Sequence, residues 1–247
     1  MHTLAKEARQ ALEIQGFAVI PSLLDARSLD IVCAECERIL ETRCTCSQST
    51  ISQQLLNRGC ILETCPEAAS CSEASFASIR QAWPLSRSAS AMLTAGELSG
   101  LACALFGSQA YLYNDQYIVK PPRSHSSGFA WHHDSQWLPD NAAYYPYISI
   151  WVALDDVDED NGCLHILPKW RQPQTSPRDS AEHALPSESI VMSLTAGDAV
   201  VMTDKLWHCS GPNRSSHFRR AWMPQFSTQP ITCQILKRPI ALAIPVQ

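Results

Sequence analysis

The chain has 247 residues, of which 45% are hydrophobic and 17% charged, and its formal net charge is −5. This length fits one β-sandwich or barrel domain with a large buried core. The negative balance offers no basic surface, so we expect no nucleic-acid partner. No run of about 18 apolar residues is evident, which predicts no membrane-spanning helix. The start lacks a secretory layout and the end is not a peroxisomal address, so we expect a cytoplasmic protein without a membrane partner.

Three segments of the first 107 residues have the periodicity of amphipathic helices. Gly16 and Gly107 are placed to end the first and the third, and Asp25 is placed to cap the second. The predicted helices are residues 4–15, residues 26–41 and residues 86–106. Between the first two, the apolar run Phe17–Ile20 predicts a short strand.

Cysteine is unusually frequent, with 11 residues, most of them in the first third of the chain. Residues 44–80, rich in Ser, Cys, Thr and Gln, predict a long loop with at most short helices. This loop is either a segment that covers the substrate or a surface excursion without a role. Cys33 and Cys36 leave a zinc or redox site conceivable. The paired spacing of a zinc ribbon is absent, however, and both cysteines lie in a helical pattern, which favours an ordinary apolar role.

From residue 110 the chain changes to short runs of β-branched and aromatic residues, mostly bounded by Pro, Gly, Asn and Asp. The predicted strands are residues 111–119, 129–138, 147–154, 163–167, 190–194, 199–203 and 219–226. Many short strands bounded by turn residues are typical of a sandwich or barrel. Asn161-Gly162 and Gly197-Asp198 are expected to form turns with left-handed backbone. We therefore predict a mostly β fold with flanking helices.

Two histidines and an aspartate suggest a metal site. In an extended segment, residues i and i+2 lie on the same face, so His132 and Asp134 can reach one ion while His133 points away. His208 would join them from a distant strand. Two imidazoles and one carboxylate, with open positions opposite, are the ligand set of non-haem Fe(II) oxygenases. The sequence thus predicts that His132, Asp134 and His208 are the iron ligands and the catalytic residues.

The surroundings of these residues resemble the phytanoyl-CoA dioxygenase family of Fe(II)/2-oxoglutarate oxygenases. The matching segments follow one another in the family order, and an arginine stands eleven residues after the second histidine. The segments are residues 114–122, 131–137, 150–156, 160–164, 197–200 and 208–219, with a weaker match at residues 16–20. The resemblance covers most of the chain. Its specificity comes from the ordered set, because H-x-D alone is common.

The resemblance implies a double-stranded β-helix, the jelly-roll core of cupin-like proteins. The N-terminal helices would brace one outer face of this core. We expect a single dioxygenase domain over residues 1–247. Within it, residues 1–107 would form the helical brace and a variable loop, and residues 108–230 would form the jelly-roll core.

The family pattern also assigns residues to the cosubstrate, 2-oxoglutarate. Arg219 is implied to hold its distal carboxylate, since a guanidinium gives two parallel charge-assisted hydrogen bonds. Ser210 matches a hydroxyl that assists the same carboxylate, Lys120 a lysine near the cosubstrate, and Trp151 a tryptophan that walls its site. Gln116 shares a strand face with Lys120 and is expected to line the cosubstrate or substrate pocket. For Lys120, Gln116 and Trp151, a purely structural place in the core is the open alternative.

The resemblance implies that Fe(II), 2-oxoglutarate and O2 oxidise a small organic molecule, with release of succinate and CO2; ascorbate would serve as reductant in vitro. Asp134 argues for a hydroxylase over a halogenase, because related halogenases replace the carboxylate by a small residue. Aromatic residues near the presumed entrance suggest a partly apolar substrate, such as a natural-product intermediate. These aromatic residues are Trp137, Tyr144, Tyr145 and Tyr147. A monomer or homodimer is expected.

Two alternatives stay open. One is a catalytically silent cupin-fold protein that binds or senses a ligand; the intact triad weighs against it, whereas a blocked pocket would leave no mark in the sequence. The other is a metal cupin enzyme that does not use 2-oxoglutarate. The placement of Arg219 argues against the second, since such an enzyme has no need to hold a buried carboxylate.

Overall fold

The computed structural model describes residues 2–45, 60–63, 87–125, 127–172 and 188–247. The helices among them are α1 (His2–Gln15), α2 (Ala26–Thr45), α3 (Arg87–Ala95) and α4 (Glu97–Phe106). The first helix ends as predicted at Gly16, which has a left-handed φ of 86° and donates its N–H to the carbonyl of Leu12. The second is capped as predicted by Asp25, whose carboxylate accepts the N–H of Ser28 at 2.7 Å.

The prediction of one helix over residues 86–106 is wrong, because α3 and α4 are separated at Gly96. Gly96 is extended, with φ −120° and ψ −155°. Within the described residues, Ser88–Phe106 is long and apolar enough to cross a membrane by length and composition, a stretch that the sequence analysis did not single out. That is weak evidence, since the segment is broken at Gly96 and buries Leu93 and Leu98 in the core.

The larger sheet contains nine antiparallel strands among the described residues. They are β1 (Phe17–Ile20), β2 (Cys60–Glu63), β3 (Ala110–Asn114), β4 (Gln116–Lys120), β7 (Tyr147–Ala153), β10 (Ala199–Thr203), β12 (Arg219–Trp222), β13 (Gln225–Ser227) and β15 (Ile244–Val246). The central strand is β7, which pairs with β10 along one edge and with β12 and then β13 along the other. Hydrogen bonds on both edges hold β7 in a fixed position within the sheet.

The smaller sheet has four strands. In spatial order they are β5 (Phe129–His132), β11 (His208–Ser210), β8 (Leu164–Ile166) and β9 (Ile190–Met192). A separate pair joins β6 (Ala142–Ala143) to β14 (Thr232–Cys233). Side chains of the two main sheets meet in one apolar cluster, in which Trp151 and Met202 join Leu164 and Ile166. The sheets are therefore the two layers of a jelly roll, and the predicted mostly β fold with flanking helices is confirmed.

The helices cover the outer face of the larger sheet. Ile148, Ile150 and Val152 of β7 share a buried cluster with residues of all four helices, whereas Trp151 and Ala153 belong to the cluster between the sheets. This alternation follows from the pleat of a strand, in which successive side chains point to opposite faces. Because both faces of β7 are covered, its sequence is apolar almost throughout.

Two of the predicted strands are in fact two strands each. Residues 111–119 are divided at Asp115, whose buried carboxylate accepts the indole N–H of Trp222 at 2.6 Å. Residues 219–226 are divided at Met223 and Pro224, where the chain passes from β12 to β13. Proline lacks the N–H that a central ladder needs, which explains the second break.

Two further expectations are corrected. The strand predicted over residues 129–138 ends at His132, and a 3-10 helix, Asp134–Trp137, follows. The loop predicted over residues 44–80 lies mostly outside the described residues, but β2 within it is a strand that pairs with β4. At the other end of the chain, β15 pairs with β3, so the larger sheet extends past residue 230.

Candidate metal centre

The two histidines and the aspartate predicted as metal ligands lie together where β5 and β11 pair. His132 and His208 are direct partners in that register, and their ring centroids are 4.2 Å apart. The Nε2 atom of His208 is 3.7 Å from Oδ1 of Asp134. Candidate ligand atoms of all three residues lie within 4.8 Å of one another, and no other such group occurs in the described part of the chain. This spacing suits three ligands of one ion.

Asp134 reaches the site by a different local geometry from the one predicted. It does not lie on the strand with His132 but begins the 3-10 helix. The intervening His133 is extended, with φ −127° and ψ 146°, so residues 132 and 134 still project to one side. His133 packs edge-on against Trp207, with ring centroids 5.0 Å apart, and its Nδ1 lies 3.0 Å from the hydroxyl of Ser135.

Backbone carbonyls orient both imidazoles. The Nδ1 atom of His132 is 2.7 Å from the carbonyl oxygen of Ala130, and that of His208 is 2.9 Å from the carbonyl oxygen of Leu206. A carbonyl only accepts, so each Nδ1 carries the hydrogen and each Nε2 keeps its lone pair. Neutral imidazoles held in this way are suited to bind a metal through Nε2.

Asp134 is also held by two side chains that the sequence analysis missed. Its Oδ2 atom accepts hydrogen bonds from the hydroxyl of Ser149 and, at 3.1 Å, from Nε2 of Gln225. Ser149 is the one polar residue inside the strand Tyr147–Ala153. A lone hydroxyl on the inward face of a buried strand is a sequence signal that could have identified it.

Two buried cations lie side by side on the neighbouring strands β4 and β12. Lys120 and Arg219 are direct partners in the register, and their relative exposures are 0% and 1%. Burial, together with the charge of Arg219, lowers the pKa of Lys120 to about 6, and burial lowers the pKa of Arg219 to about 10. Within the described residues neither cation forms an ion pair, and Nε and Nη1 of Arg219 have no hydrogen-bond partner.

Neutral oxygens accept hydrogen bonds from the side-chain nitrogen of Lys120. Its Nζ donates to the hydroxyl of Ser210 at 2.7 Å and to the carbonyl oxygen of Gly211. Gly162, with a left-handed φ of 88°, lies so close to this carbonyl that a Cβ would clash with it. The left-handed turn predicted at Gly162 is therefore present, and its glycine also permits the close approach to the loop that holds Lys120.

A contact of each basic side chain lies two residues along a strand from the triad or from a residue that contacts the triad. Ser210, the partner of Lys120, follows His208 by two residues on β11. Trp151, whose ring lies 5.4 Å from the guanidinium carbon of Arg219, follows Ser149 by two residues on β7. A two-residue step on a strand keeps the same face and advances about 7 Å.

The remaining predicted cosubstrate residue and the neighbour of Arg219 are also placed. Gln116 is buried and lies four residues before Lys120 on β4, hence on the same face. Arg220, the next residue on β12, points the other way and binds Asp155 and Glu37 through contacts of 2.7 and 2.8 Å. The adjacent arginines therefore differ in one respect that matters here: Arg220 has carboxylate partners and Arg219 has none in the described chain.

The aromatic residues predicted near the entrance divide into two groups. Trp137, Tyr144 and Tyr145 are exposed, with Trp137 at 65%. Tyr147 does not belong with them, because it is 3% exposed and packs on Tyr113 with ring centroids 5.2 Å apart. Its place on the inward face of β7, two residues before Ser149, explains this burial.

The described cysteines form no second centre. Cys33 and Cys36 lie in α2, and Cys36 is buried in the apolar core. None of the six cysteines whose side chains are described is in a disulfide with another of them. The other five, in the region predicted as a long loop, lie outside the residues whose side chains are described.

Residues 12–221 match the profile of the family described as Phytanoyl-CoA dioxygenase (PhyH). A 2-aminoethylphosphonate dioxygenase from Uncultured bacterium HF130_AEPn_1 is 27% identical over 133 residues, which are 49% of this chain and 47% of that protein. The match therefore spans about half the length of this relative.

Two solved structures of similar fold are of one enzyme, SnoN. The non-heme alpha ketoglutarate dependent epimerase SnoN from nogalamycin biosynthesis has a TM-score of 0.67 at 20% identity, covering 98% of this chain and 88% of its own. A second structure of SnoN, in complex with Fe3+, alpha ketoglutarate and nogalamycin RO, has a TM-score of 0.64 at 18% identity, with coverages of 99% and 96%. At these identities the likeness is one of fold.

Proposed function

Since this chain belongs to the Phytanoyl-CoA dioxygenase family, we propose that it hydroxylates a small organic molecule with iron and 2-oxoglutarate. An iron- and 2-oxoglutarate-dependent oxygenase is the general class given by the family and by the His-Asp-His metal site, and the predicted cofactors are confirmed at that level. The proposal adds the roles of the individual residues, the type of oxidation and the kind of substrate.

The observation that supports the proposal most is the pair of buried cations beside the triad. Burying a charge without a counter-charge is strongly unfavourable, so Arg219, and Lys120 in its protonated form, favour an anion that enters the site. The orphaned Nε–H and Nη1–H of Arg219 supply donors for a carboxylate. A dicarboxylate that binds a metal at one end and a guanidinium at the other fits both features at once.

Iron and 2-oxoglutarate, held by these residues, would supply the oxidising power: one atom of O2 would go to the succinate formed with CO2 and the other to a C–H bond of the substrate. The chain's own residues do the binding and orienting. In this proposal His132, Asp134 and His208 bind iron, Arg219 holds the distal carboxylate, and Lys120 adds positive charge.

Three further residues complete the proposed cosubstrate site. Ser210 donates its hydroxyl hydrogen to the carboxylate while it accepts from Lys120, Trp151 forms a wall beside the guanidinium, and Gln116 lines the same inward face. The presence of Asp134 supports hydroxylation over halogenation, because a halide needs the metal position that the carboxylate takes.

The proposed substrate is a small, partly apolar molecule such as a natural-product intermediate. Exposed aromatic side chains near the 3-10 helix after the triad support this class, as do structural neighbours from nogalamycin biosynthesis. We further propose one domain over residues 1–247, in which β1, β2 and β15 extend the jelly-roll core at 108–230, as a monomer or homodimer in the cytoplasm. Neither nucleic acid nor a membrane is proposed as a partner.

The test is succinate formation from 2-oxoglutarate with Fe(II), ascorbate and air. We expect slow turnover without added substrate in the natural chain, and loss by orders of magnitude in Asp134→Ala, because a ligand is removed. Asp140→Ala is the matched control, since Asp140 is exposed and lies outside the triad.

An anaerobic titration separates the alternatives. Iron and 2-oxoglutarate are expected to bind together, each strengthening the other. Metal binding without any binding of 2-oxoglutarate would favour a metal cupin enzyme of another kind. Binding of both without turnover, in the presence of a broad set of small molecules, would favour a silent binding protein.

A further inference from the structure

We propose that Ser149 and Gln225 are positioning residues that hold one oxygen of Asp134 so that only the other is offered to the metal. This inference rests on the proposed function, in that it takes the triad to be an iron site. It adds two residues, from strands remote in sequence, to the group that determines how iron is bound.

The two oxygens of Asp134 have different surroundings. Oδ1 lies 3.7 Å from Nε2 of His208, on the side where the candidate ligand atoms converge. Oδ2 accepts from the hydroxyl of Ser149 and, at 3.1 Å, from Nε2 of Gln225. A carboxylate oxygen with two donors already in place is a weak competitor for a metal, so the unshared Oδ1 is the ligand atom.

Hydrogen-bond directions within this group are consistent with one another. Nδ2 of Asn114 donates to Oε1 of Gln225 at 3.3 Å, which turns the NH2 group of Gln225 toward Asp134. Nε2 of Gln225 also donates to the hydroxyl oxygen of Ser149 at 2.9 Å. Because that oxygen accepts from Gln225, the single hydroxyl hydrogen of Ser149 is directed to Asp134.

The location of the group explains why it is needed. Asp134 lies in a 3-10 helix after the smaller sheet, so no ladder of strand hydrogen bonds fixes its direction. Ser149 and Gln225 are register partners on β7 and β13 of the larger sheet, and Asn114 pairs with Gln225 from β3. The hydrogen bonds therefore run from the larger sheet to the 3-10 helix after the smaller sheet. They fix the carboxylate of Asp134, which its own segment leaves free to rotate.

A carboxylate without these donors could turn and present both oxygens to the ion. It would then occupy a second position of the iron, one that the cosubstrate or O2 requires. Removal of either donor is therefore expected to change both the affinity for the metal and the geometry of its coordination. Partners of metal-bound groups have effects of about 10- to 100-fold on metal affinity.

The experiment titrates Co(II) into the metal-free protein and follows the visible absorption of the bound ion, with no turnover involved. Ser149→Ala and Gln225→Met are expected to weaken cobalt binding by about 10- to 100-fold and to change the shape of the spectrum. Ser227→Ala is the matched control: it removes a buried hydroxyl from β13 that donates to the carbonyl of Gln229 and does not touch Asp134. The control should keep both the affinity and the spectrum.

Ser149→Ala decides the question by itself if Gln225→Met does not fold, because it removes a single oxygen atom from a folded strand. Unchanged cobalt affinity and spectrum in Ser149→Ala would overturn the inference while leaving the metal site intact. Equal weakening in Ser227→Ala would also overturn it, since the effect would then come from general loosening of the strand. Absence of cobalt binding in the natural chain would overturn the proposed function itself, and with it this inference.

Discussion

The metal end of the site, formed by His132, Asp134 and His208, differs from its cation end, formed by Lys120 and Arg219, in how buried charge is balanced. At the metal end both imidazoles donate to backbone carbonyls and Asp134 accepts from two side chains. At the cation end the donors outnumber the acceptors, and no carboxylate in the described chain forms an ion pair with either cation.

The difference shows which part of the site has its polar groups paired within the chain and which part needs a bound ligand to pair them. Polar groups that are satisfied within the fold hold their geometry before anything binds. A buried positive charge without a counter-charge destabilises the fold, and the binding of an anion removes this cost. The cation end thus lowers the stability of the free protein and would raise its affinity for an anion. Removing a cation is therefore expected to stabilise the protein without 2-oxoglutarate and to weaken the stabilisation that 2-oxoglutarate gives.

Arg219→Met gives the largest expected effect and tests whether the cation end binds 2-oxoglutarate at a cost in stability. We expect the KM for 2-oxoglutarate to rise by about 30- to 3,000-fold, as for loss of one partner of a buried charge pair at roughly 2–5 kcal/mol. The melting temperature without 2-oxoglutarate should stay the same or rise, because an unpaired buried charge has been removed. Thermal melts with and without 2-oxoglutarate, alongside steady-state kinetics, measure both effects.

Arg220→Met is the matched control for that prediction. Arg220 binds Asp155 and Glu37, so its loss should lower the melting temperature and leave the KM for 2-oxoglutarate unchanged. A fall in the melting temperature of Arg219→Met with no change in KM would show that Arg219, too, is a structural residue.

Gly162→Ala tests whether the cation end depends on the close approach of two loops. A residue with a side chain at φ 88° is strained, and its Cβ would press on the carbonyl of Gly211 that accepts from Lys120. We expect a loss of unfolding free energy of about 1–3 kcal/mol from backbone strain alone. Chemical denaturation measures it. Gly100→Ala in α4, where a Cβ meets nothing within 4 Å, should instead be neutral or stabilising, and equal losses in both would contradict the prediction.

Lys120 makes the stability of the cation end depend on pH. Its pKa is about 6 in the fold and about 10.5 for an ordinary lysine, so between these values the unfolded chain binds more protons. The contribution of Lys120 therefore makes the unfolding free energy rise as pH increases from about 6 toward 10. Bound 2-oxoglutarate favours the charged amine and should reduce this slope. Denaturation at pH 6.5 and 9, with Lys120→Met for comparison, tests it; an identical slope in the variant would contradict the prediction.

Ser210→Ala should have the smallest effect. It removes one acceptor from Lys120 and one donor proposed for the cosubstrate, each a single hydrogen bond of about 1 kcal/mol. The expected result is a rise in the KM for 2-oxoglutarate of about 5-fold, with little change in the affinity for Co(II). An equal or larger loss of Co(II) affinity would mean that Ser210 supports the metal end through its neighbour His208.

The residues found from the sequence are those whose relation is local. His132 and Asp134 are two residues apart, and Arg219 follows His208 by eleven. Each pair therefore lies in one short segment, where its spacing can be recognised. The structure does bring the three triad residues together. The mostly β class was also predictable, because short strands bounded by turn residues are recognisable one at a time; the jelly roll in particular was implied by the family resemblance.

The features missed are those that depend on pairings between distant strands. Nothing near Gln225 in the chain indicates that its amide faces Asp134, which lies in the 3-10 helix after the smaller sheet. The break at Asp115 depends on the indole of Trp222 and the burial of Tyr147 on the register of β7. Local patterns give elements and motifs, whereas cross-strand register decides which side chains meet.

The central strand β7 has a consequence for the length of acid that the site accepts. Ser149 contacts the metal ligand Asp134 and Trp151 lies against Arg219, so one strand touches both ends at a separation of about 7 Å. Since β7 is hydrogen-bonded on both edges, the distance between these two contacts is fixed. If Arg219 holds the distal carboxylate as proposed, a dicarboxylic acid one methylene shorter or longer is expected to fit poorly at one end, and the spacing along β7 would then set the chain length that the site selects.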